Sequence, residues 1–257
     1  MQFETLLFEV TDHVATVTLN RPQALNCFNI PMLREFITLW QTIRLDDDIH
    51  CVVLRAAGDR AFSAGADAKE GGTFEDDGLW THQDPGDHLG PKRHKVWKPI
   101  VCAVHGICAG GAFYLVNESD IVICSSDSTF FDPHVTYGRT AAVEPIGMTY
   151  RMPLGEVMRM ALLGNDERMS PRRALEIGLV SEITEPADLW ARADELARII
   201  AAKPPVAVQG TVKAVWESLD LPRTQALNMS TYYPITSKTA QKPIDISTIP
   251  RAQWKLR

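Results

Sequence analysis

Two stretches made almost wholly of small side chains constrain this chain more than any other feature: Phe62-Ser63-Ala64-Gly65-Ala66-Asp67-Ala68-Lys69-Glu70 and Gly106-Ile107-Cys108-Ala109-Gly110-Gly111-Ala112. Each stands where a strand-like run gives way to a helical pattern. Small residues at such a turn let backbone or ligand approach closely. If the two turns meet, the amides of Ala66 and Gly111 can point at one carbonyl oxygen, which holds an oxyanion without a metal or a charged side chain. Tight packing of helices on a sheet explains the same composition equally well. A nucleotide cradle does not, because neither stretch has the G-x-x-x-x-G-K-[ST] or G-x-G-x-x-G order.

The rest of the chain reads as α/β. Val14 to Leu19 alternates Thr with small or apolar residues, as a half-buried strand does, and stops at Asn20-Arg21-Pro22. Asn29 and Pro31 start a helix carrying Leu33, Phe36, Ile37 and Trp40 at helical spacing. The acidic run Asp46 to Asp48 ends it before a second strand, Cys51 to Leu54. Ile100 to Val104 and Asp120 to Cys124 read as further buried strands. Ser170-Pro171 opens a helix that Gly178 closes before Leu179 to Ile183, and Leu189, Ala193, Leu196 and Ile200 mark another. Residues 71–95 are polar, rich in Gly, Asp and His and without periodicity, so they read as a mobile lid or lip of a site. After Pro222 the composition shifts to Thr, Ser, Pro and Lys. That predicts a core over 1–200 and a partner-facing or substrate-covering region over 201–257.

With 257 residues and 45% hydrophobic content the chain can bury one substantial core. Its net charge of -6, with no Lys/Arg run, lacks the footprint of a nucleic-acid binder. No apolar run approaches the roughly 20 residues of a membrane helix, and Met1-Gln2-Phe3-Glu4 does not begin a signal peptide, so a cytoplasmic protein without membrane partners is expected. Cys27, Cys51, Cys102, Cys108 and Cys124 are odd in number and show no metal-like pairing, as expected of reduced core thiols. His82, His88 and His94 lack carboxylate partners at ligand spacing, and no metal site is expected.

Several segments in order resemble the crotonase (enoyl-CoA hydratase/isomerase) superfamily. They are Asn20-Arg21-Pro22 with Ala24-Leu25-Asn26, FSAGADAKE at 62–70, HGICAGGAFYLVNESD at 105–120, Thr129 to His134, and SPRRALEIGLVSEI at 170–183. The resemblance spans roughly residues 5–215. It implies a spiral of ββα turns, assembly as a homotrimer or a dimer of trimers, and an acyl-CoA thioester held by the amides of Ala66 and Gly111. Coenzyme A would enter as part of the substrate, with no other cofactor. The resemblance also implies that Ala24, Leu25, Ala64 and Ala68 line the CoA path, with Asp67 and Gly110 beside it, and that Arg21 meets a CoA phosphate. Read from the residues alone, Arg21 is equally a solvated surface charge, and Asp67 and Asp120 are a helix cap and a strand-end turn residue.

The chain departs from that pattern where the hydratases carry two glutamates. Tyr114 and His134 stand there instead. A tyrosine, with an ordinary pKa of about 10, is no base near neutrality. An imidazole can take a proton from water or from a C–H beside a thioester. Asp132 and Glu144 can each orient His134 or act as a second acid/base group, with Glu144 preferred. The tail departs as well, with Thr, Ser and Pro over 236–250 before Arg251, Trp254, Lys255 and Arg257. The expectation is an acyl-CoA enzyme working through an enolate. A lone imidazole suits an isomerase or a C–C hydrolase acting on a cyclic or β-keto acyl-CoA better than a hydratase. A silent acyl-CoA-binding homologue is the alternative from another class.

Overall fold

A computed structural model describes residues 2–69 and 84–240 and, beyond them, 245, 247, 254 and 256. Residues 1–203 and 204–257 form two compact units. In the first, β1 (Leu6–Thr11), β2 (Val14–Leu19), β3 (Cys51–Ala56), β5 (Ile100–Val104), β7 (Ile121–Ser125) and β9 (Glu182–Thr184) make one sheet in the order β1-β2-β3-β5-β7-β9. Only β1 runs antiparallel to its neighbour. A second, parallel sheet holds β4 (Ala61–Ser63), β6 (Ile107–Ala109) and β8 (Thr129–Phe131) in the order β4-β6-β8.

Each short strand follows a long one through a tight link, so β3-β4, β5-β6 and β7-β8 are successive turns of one ββα spiral. The helices of this unit are α1 (Ile30–Leu45), α2 (Gly86–Leu89), α3 (Ala112–Asn117), α4 (Val143–Met148), α5 (Leu154–Leu163), α6 (Pro171–Glu176) and α7 (Leu189–Ala201). The second unit contains α8 (Pro205–Ser218), α9 (Arg223–Met229) and α10 (Tyr232–Ala240), and within it the Tyr233 hydroxyl donates to Glu217 at 2.6 Å. The tail composition gave no sign of α9 and α10.

The inner strands β3, β5 and β7 of the large sheet are apolar on both faces because both faces are covered. Val52, Leu54, Cys102 and Val104 share a core with Leu33, Phe36 and Trp40 of α1. Val53, Val101, Ala103 and Ile123 pack beneath Leu189, Ala193 and Ala197 of α7. This corrects the half-buried reading of Val14 to Leu19, all six of which are buried. Arg55 covers the Thr face: its Nε donates to Thr18 Oγ1 at 3.1 Å while its guanidinium stacks 4.2 Å above the Trp190 ring. The strand β1 shows no clean alternation, with exposed Leu7 and Val10, and escapes a period-based search.

The helix start expected at Asn29 is present, its side chain accepting from Met32 N–H at 3.2 Å. At the other end of α1 the buried ammonium of Lys98 donates to the carbonyls of Ile43 and Asp46, a cation at the negative end of the helix. The lid expected over 71–95 divides. Residues 71–83 lie outside the described residues, as does His82, while 84–95 is packed structure containing α2. Leu89 is fully buried, and its carbonyl accepts from the Trp40 indole at 2.8 Å. All five cysteines are free thiols, four of them buried.

Trp40→Phe keeps most of the apolar bulk but strands the Leu89 carbonyl. It is expected to lower stability by about 1–3 kcal/mol. Urea unfolding measures the loss, and hydrogen exchange should place the added opening at residues 84–90.

Candidate active site

The strands β4, β6 and β8 are parallel neighbours, so the segments leaving them emerge side by side at one sheet edge: 64–67, 110–111 and 132–134. Ligands of parallel α/β sheets gather at that edge. Gly65 (φ +91°) lies against the second loop so closely that an added Cβ would stand 2.9 Å from Gly111 N and 3.0 Å from Ala109 O. The two small-residue turns therefore meet. Gly110 (φ +51°) in turn faces Pro133 and the His134 ring, with a hypothetical Cβ 3.7 Å from His134 Cε1.

Within the first loop Ala64 N–H donates to Leu25 O at 3.0 Å, Gly65 N–H to Ser63 Oγ at 3.2 Å and Asp67 N–H to Phe28 O at 2.8 Å. Ala66 N–H has no acceptor among the described residues. In the second loop Gly110 N–H donates to Phe131 O at 3.2 Å, whereas Gly111 N–H has none among the described residues. Ala66 is exposed and Gly111 buried, so the two donors lie at the mouth of the site rather than sealed within the core.

Around them stands a titratable cluster. His134 Nδ1 lies 2.5 Å from Asp132 Oδ1, which also accepts the His134 backbone N–H at 3.0 Å. An ionised carboxylate only accepts, so Nδ1 carries hydrogen and Nε2 is the ring's working nitrogen. Asp132 is fully buried, and its Oδ2 has no hydrogen-bond partner among the described residues. Nε2 faces Glu144 Oε1 at 3.7 Å. The bond to Asp132 holds the His134 pKa above the ordinary imidazole value against the opposing effect of burial. Burial likewise raises the Glu144 carboxyl. Tyr114 packs its ring between Gly86 and Gly111. Burial first, then the Glu144 and Asp84 carboxylates, pushes its hydroxyl far above the phenol range.

Glu144, the partner preferred from sequence, comes from α4 ten residues on and faces His134, so the imidazole does not stand alone. Ala24 and Leu25 are half-buried, the Leu25 carbonyl takes the Ala64 N–H, and Ala66 and Ala68 are exposed farther along the same loop as Ala64. Arg21 is a correction. It is 7% exposed, and its Nη1 donates to Cys27 O at 2.7 Å and to Asp67 Oδ2 at 3.0 Å. It is not a solvated surface charge. Asp67 serves as its counter-ion and accepts from Lys69 N–H at 3.0 Å, which is a turn rather than a helix cap. Asp120 accepts from Ile100 N–H and Lys92 Nζ, a structural role. Among the described residues no group of three or more His, Cys, Asp or Glu side chains can hold a metal ion, and no helix is long and apolar enough to cross a membrane.

Residues 9–244 match the sequence profile of the enoyl-CoA hydratase/isomerase family. The chain is 32% identical over 216 residues to the (E)-benzylidenesuccinyl-CoA hydratase of Thauera aromatica, covering 83% of each protein. It is 33% identical over 246 residues to the mitochondrial Delta(3,5)-Delta(2,4)-dienoyl-CoA isomerase of Mus musculus, covering 84% of this chain and 72% of that one. The crystal structure of an enoyl-CoA hydratase/isomerase from Mycobacterium paratuberculosis aligns with a TM-score of 0.85 at 38% identity over 91% of both chains. The fold is the crotonase spiral, and the chain belongs to the enoyl-CoA hydratase/isomerase family, whose members act on acyl-CoA thioesters.

Gly65→Ala forces a side chain into the left-handed region and against the backbone of the facing loop. It is expected to cost about 1–3 kcal/mol in thermal unfolding and to weaken acyl-CoA binding in calorimetry. The raised pKa of His134 means that its proton stabilises the fold fully below about pH 6.5 and stops doing so as pH rises through the higher folded value. The stability advantage of the wild type over His134→Gln should therefore shrink from acid toward alkaline pH in denaturant titrations.

Proposed function

We propose that this protein binds an acyl-CoA thioester with its carbonyl oxygen between the N–H groups of Ala66 and Gly111 and stabilises the enolate formed there. The observation that carries the reading is a pair of amides, on loops in contact, that both lack an acceptor among the described residues. Charge moving onto the oxygen during proton transfer at the α-carbon meets donors already in place, which is worth most in a site that excludes water.

His134 Nε2 and Glu144 supply the acid/base groups. With one proton between them the pair rests as imidazolium and carboxylate, or as imidazole and carboxylic acid. One member can therefore activate water while the other delivers a proton to the α-carbon. Two groups so placed do the work of two carboxylates, and reversible hydration of an enoyl-CoA is the reading they favour. Tyr114, its proton held far above neutrality, is a neutral hydroxyl beside Glu144 rather than a base. A double-bond shift is the second reading: Asp132 occupies Nδ1, leaving one ring nitrogen to take a proton and return it, as a 1,3-shift needs. Coenzyme A is part of the substrate, no further cofactor takes part, and the assembly is a homotrimer or a dimer of trimers.

Purified protein should turn over members of a panel of enoyl-, β-keto- and cyclic acyl-CoAs. His134→Ala is expected to lower kcat/KM by roughly 10²–10⁴-fold, and Glu144→Gln to lower it more for hydration than for isomerisation. Tight CoA-thioester binding without turnover of any panel member would instead identify a silent binding protein.

A further inference from the structure

Arg21 and Asp67 form a buried ion pair beside the site. Such a pair is weak evidence for stability, because apolar side chains of similar volume often serve as well. Directional hydrogen bonding is what a guanidinium adds. Its Nη1 donates to the Cys27 carbonyl at 2.7 Å. At the other end of that peptide unit, Phe28 N–H donates to the Gly65 carbonyl at 2.8 Å. The other end of this second peptide unit is Ala66 N–H, which has no acceptor among the described residues. No peptide bond here is cis, so each carbonyl and the N–H of its own unit point opposite ways. A cation thus stands at the head of two aligned peptide dipoles whose free end is the Ala66 donor. Hydrogen bonds in such chains polarise one another.

We infer that Arg21 is a positioning residue for the oxyanion donor, acting through the 27–28 and 65–66 peptide units, and that Asp67 holds its guanidinium in place. The inference rests on the proposed role of Ala66. The loop it anchors needs anchoring: Leu25 and Asn26 both take left-handed backbone (φ 51° and 52°), a costly conformation for leucine. Asn26 supports the same turn, accepting from Arg21 N–H at 2.9 Å and donating to the carbonyls of Ala57 and Ala61 at 2.9 and 2.8 Å. In this assignment Arg21 touches neither the phosphates nor the reacting atoms.

The test is the absorption maximum of a bound aryl-enoyl-CoA chromophore, which moves to longer wavelength as its thioester carbonyl is polarised, together with the Kd of coenzyme A alone. Wild-type protein should give a clear red shift. Arg21→Met combined with Asp67→Leu, which keeps the volume of the pair without its charges, should lose most of that shift while the Kd of coenzyme A stays as it was. If that double variant does not fold, Arg21→Lys, which keeps the charge but lacks the planar guanidinium that fixes its direction, should lose part of the shift. With a turned-over substrate the loss should fall on kcat rather than KM, and remain below the roughly 10²–10³-fold that deleting an oxyanion donor costs. A full red shift in the variants overturns the positioning role and leaves the oxyanion reading standing. So does weaker coenzyme A binding at unchanged shift, which would make Arg21 a phosphate ligand. No red shift in saturated wild-type protein removes the oxyanion reading and the role of Arg21 with it.

Discussion

A buried main-chain N–H is almost always bonded, and leaving one without a partner costs free energy that the rest of the structure must offset. Here Ala66 and Gly111 N–H have no acceptor among the described residues, in loops whose neighbouring amides at Ala64, Gly65, Asp67 and Gly110 are all paired. Much of the surrounding architecture follows from keeping those two donors free and together. The parallel sheet β4-β6-β8 sets their loops side by side, Gly65 lets the backbones close to contact, and the 21–28 turn bonds the first loop from behind.

The third strand of that sheet places the acid/base groups by the same logic. The strand β8 ends at Phe131, and Asp132 and His134 follow in a 3₁₀ turn that carries the imidazole to the face of Gly110. Glu144 arrives from a different element, α4, which packs on α3. Its backbone carbonyl accepts from Asn117 Nδ2 at 2.9 Å, so the helix that carries Gly111 at its start also fixes Glu144 at its end. Donor loops and proton-transfer groups are therefore tied to one short helix. Asp132 and Glu144 stand buried on either side of His134, so the charge of each bears on the imidazole between them.

Local chemistry made a good part of this legible. Asn29 caps α1 because a side-chain acceptor was needed there, Gly178 (φ +87°) ends α6 because that position is left-handed, and the two small-residue stretches are where the backbones touch. His134 stood out because glutamate was expected in its place. Other features were hidden for physical reasons. The three-residue strands β4, β6 and β8 are too short to show a period, and β1 buries one residue in six. The helices α9 and α10 carry compositions that propensity reads as irregular. The Thr face of β2 looked solvated because nothing in a linear sequence announces that Arg55 and Trp190 will cover it.

What the sequence by itself determined is the inventory: which turns can bring backbone against backbone, which positions lack a carboxylate, and which imidazole remains to move a proton. These depend on residues within a few positions of one another, where sterics and intrinsic acidity already decide the outcome. Tertiary structure alone decided the partnerships. Arg21 is buried against Asp67 rather than solvated, and Glu144 stands opposite His134. In both cases charges distant in sequence are brought within a few ångströms and taken out of solvent, and only the finished fold sets that distance and that burial.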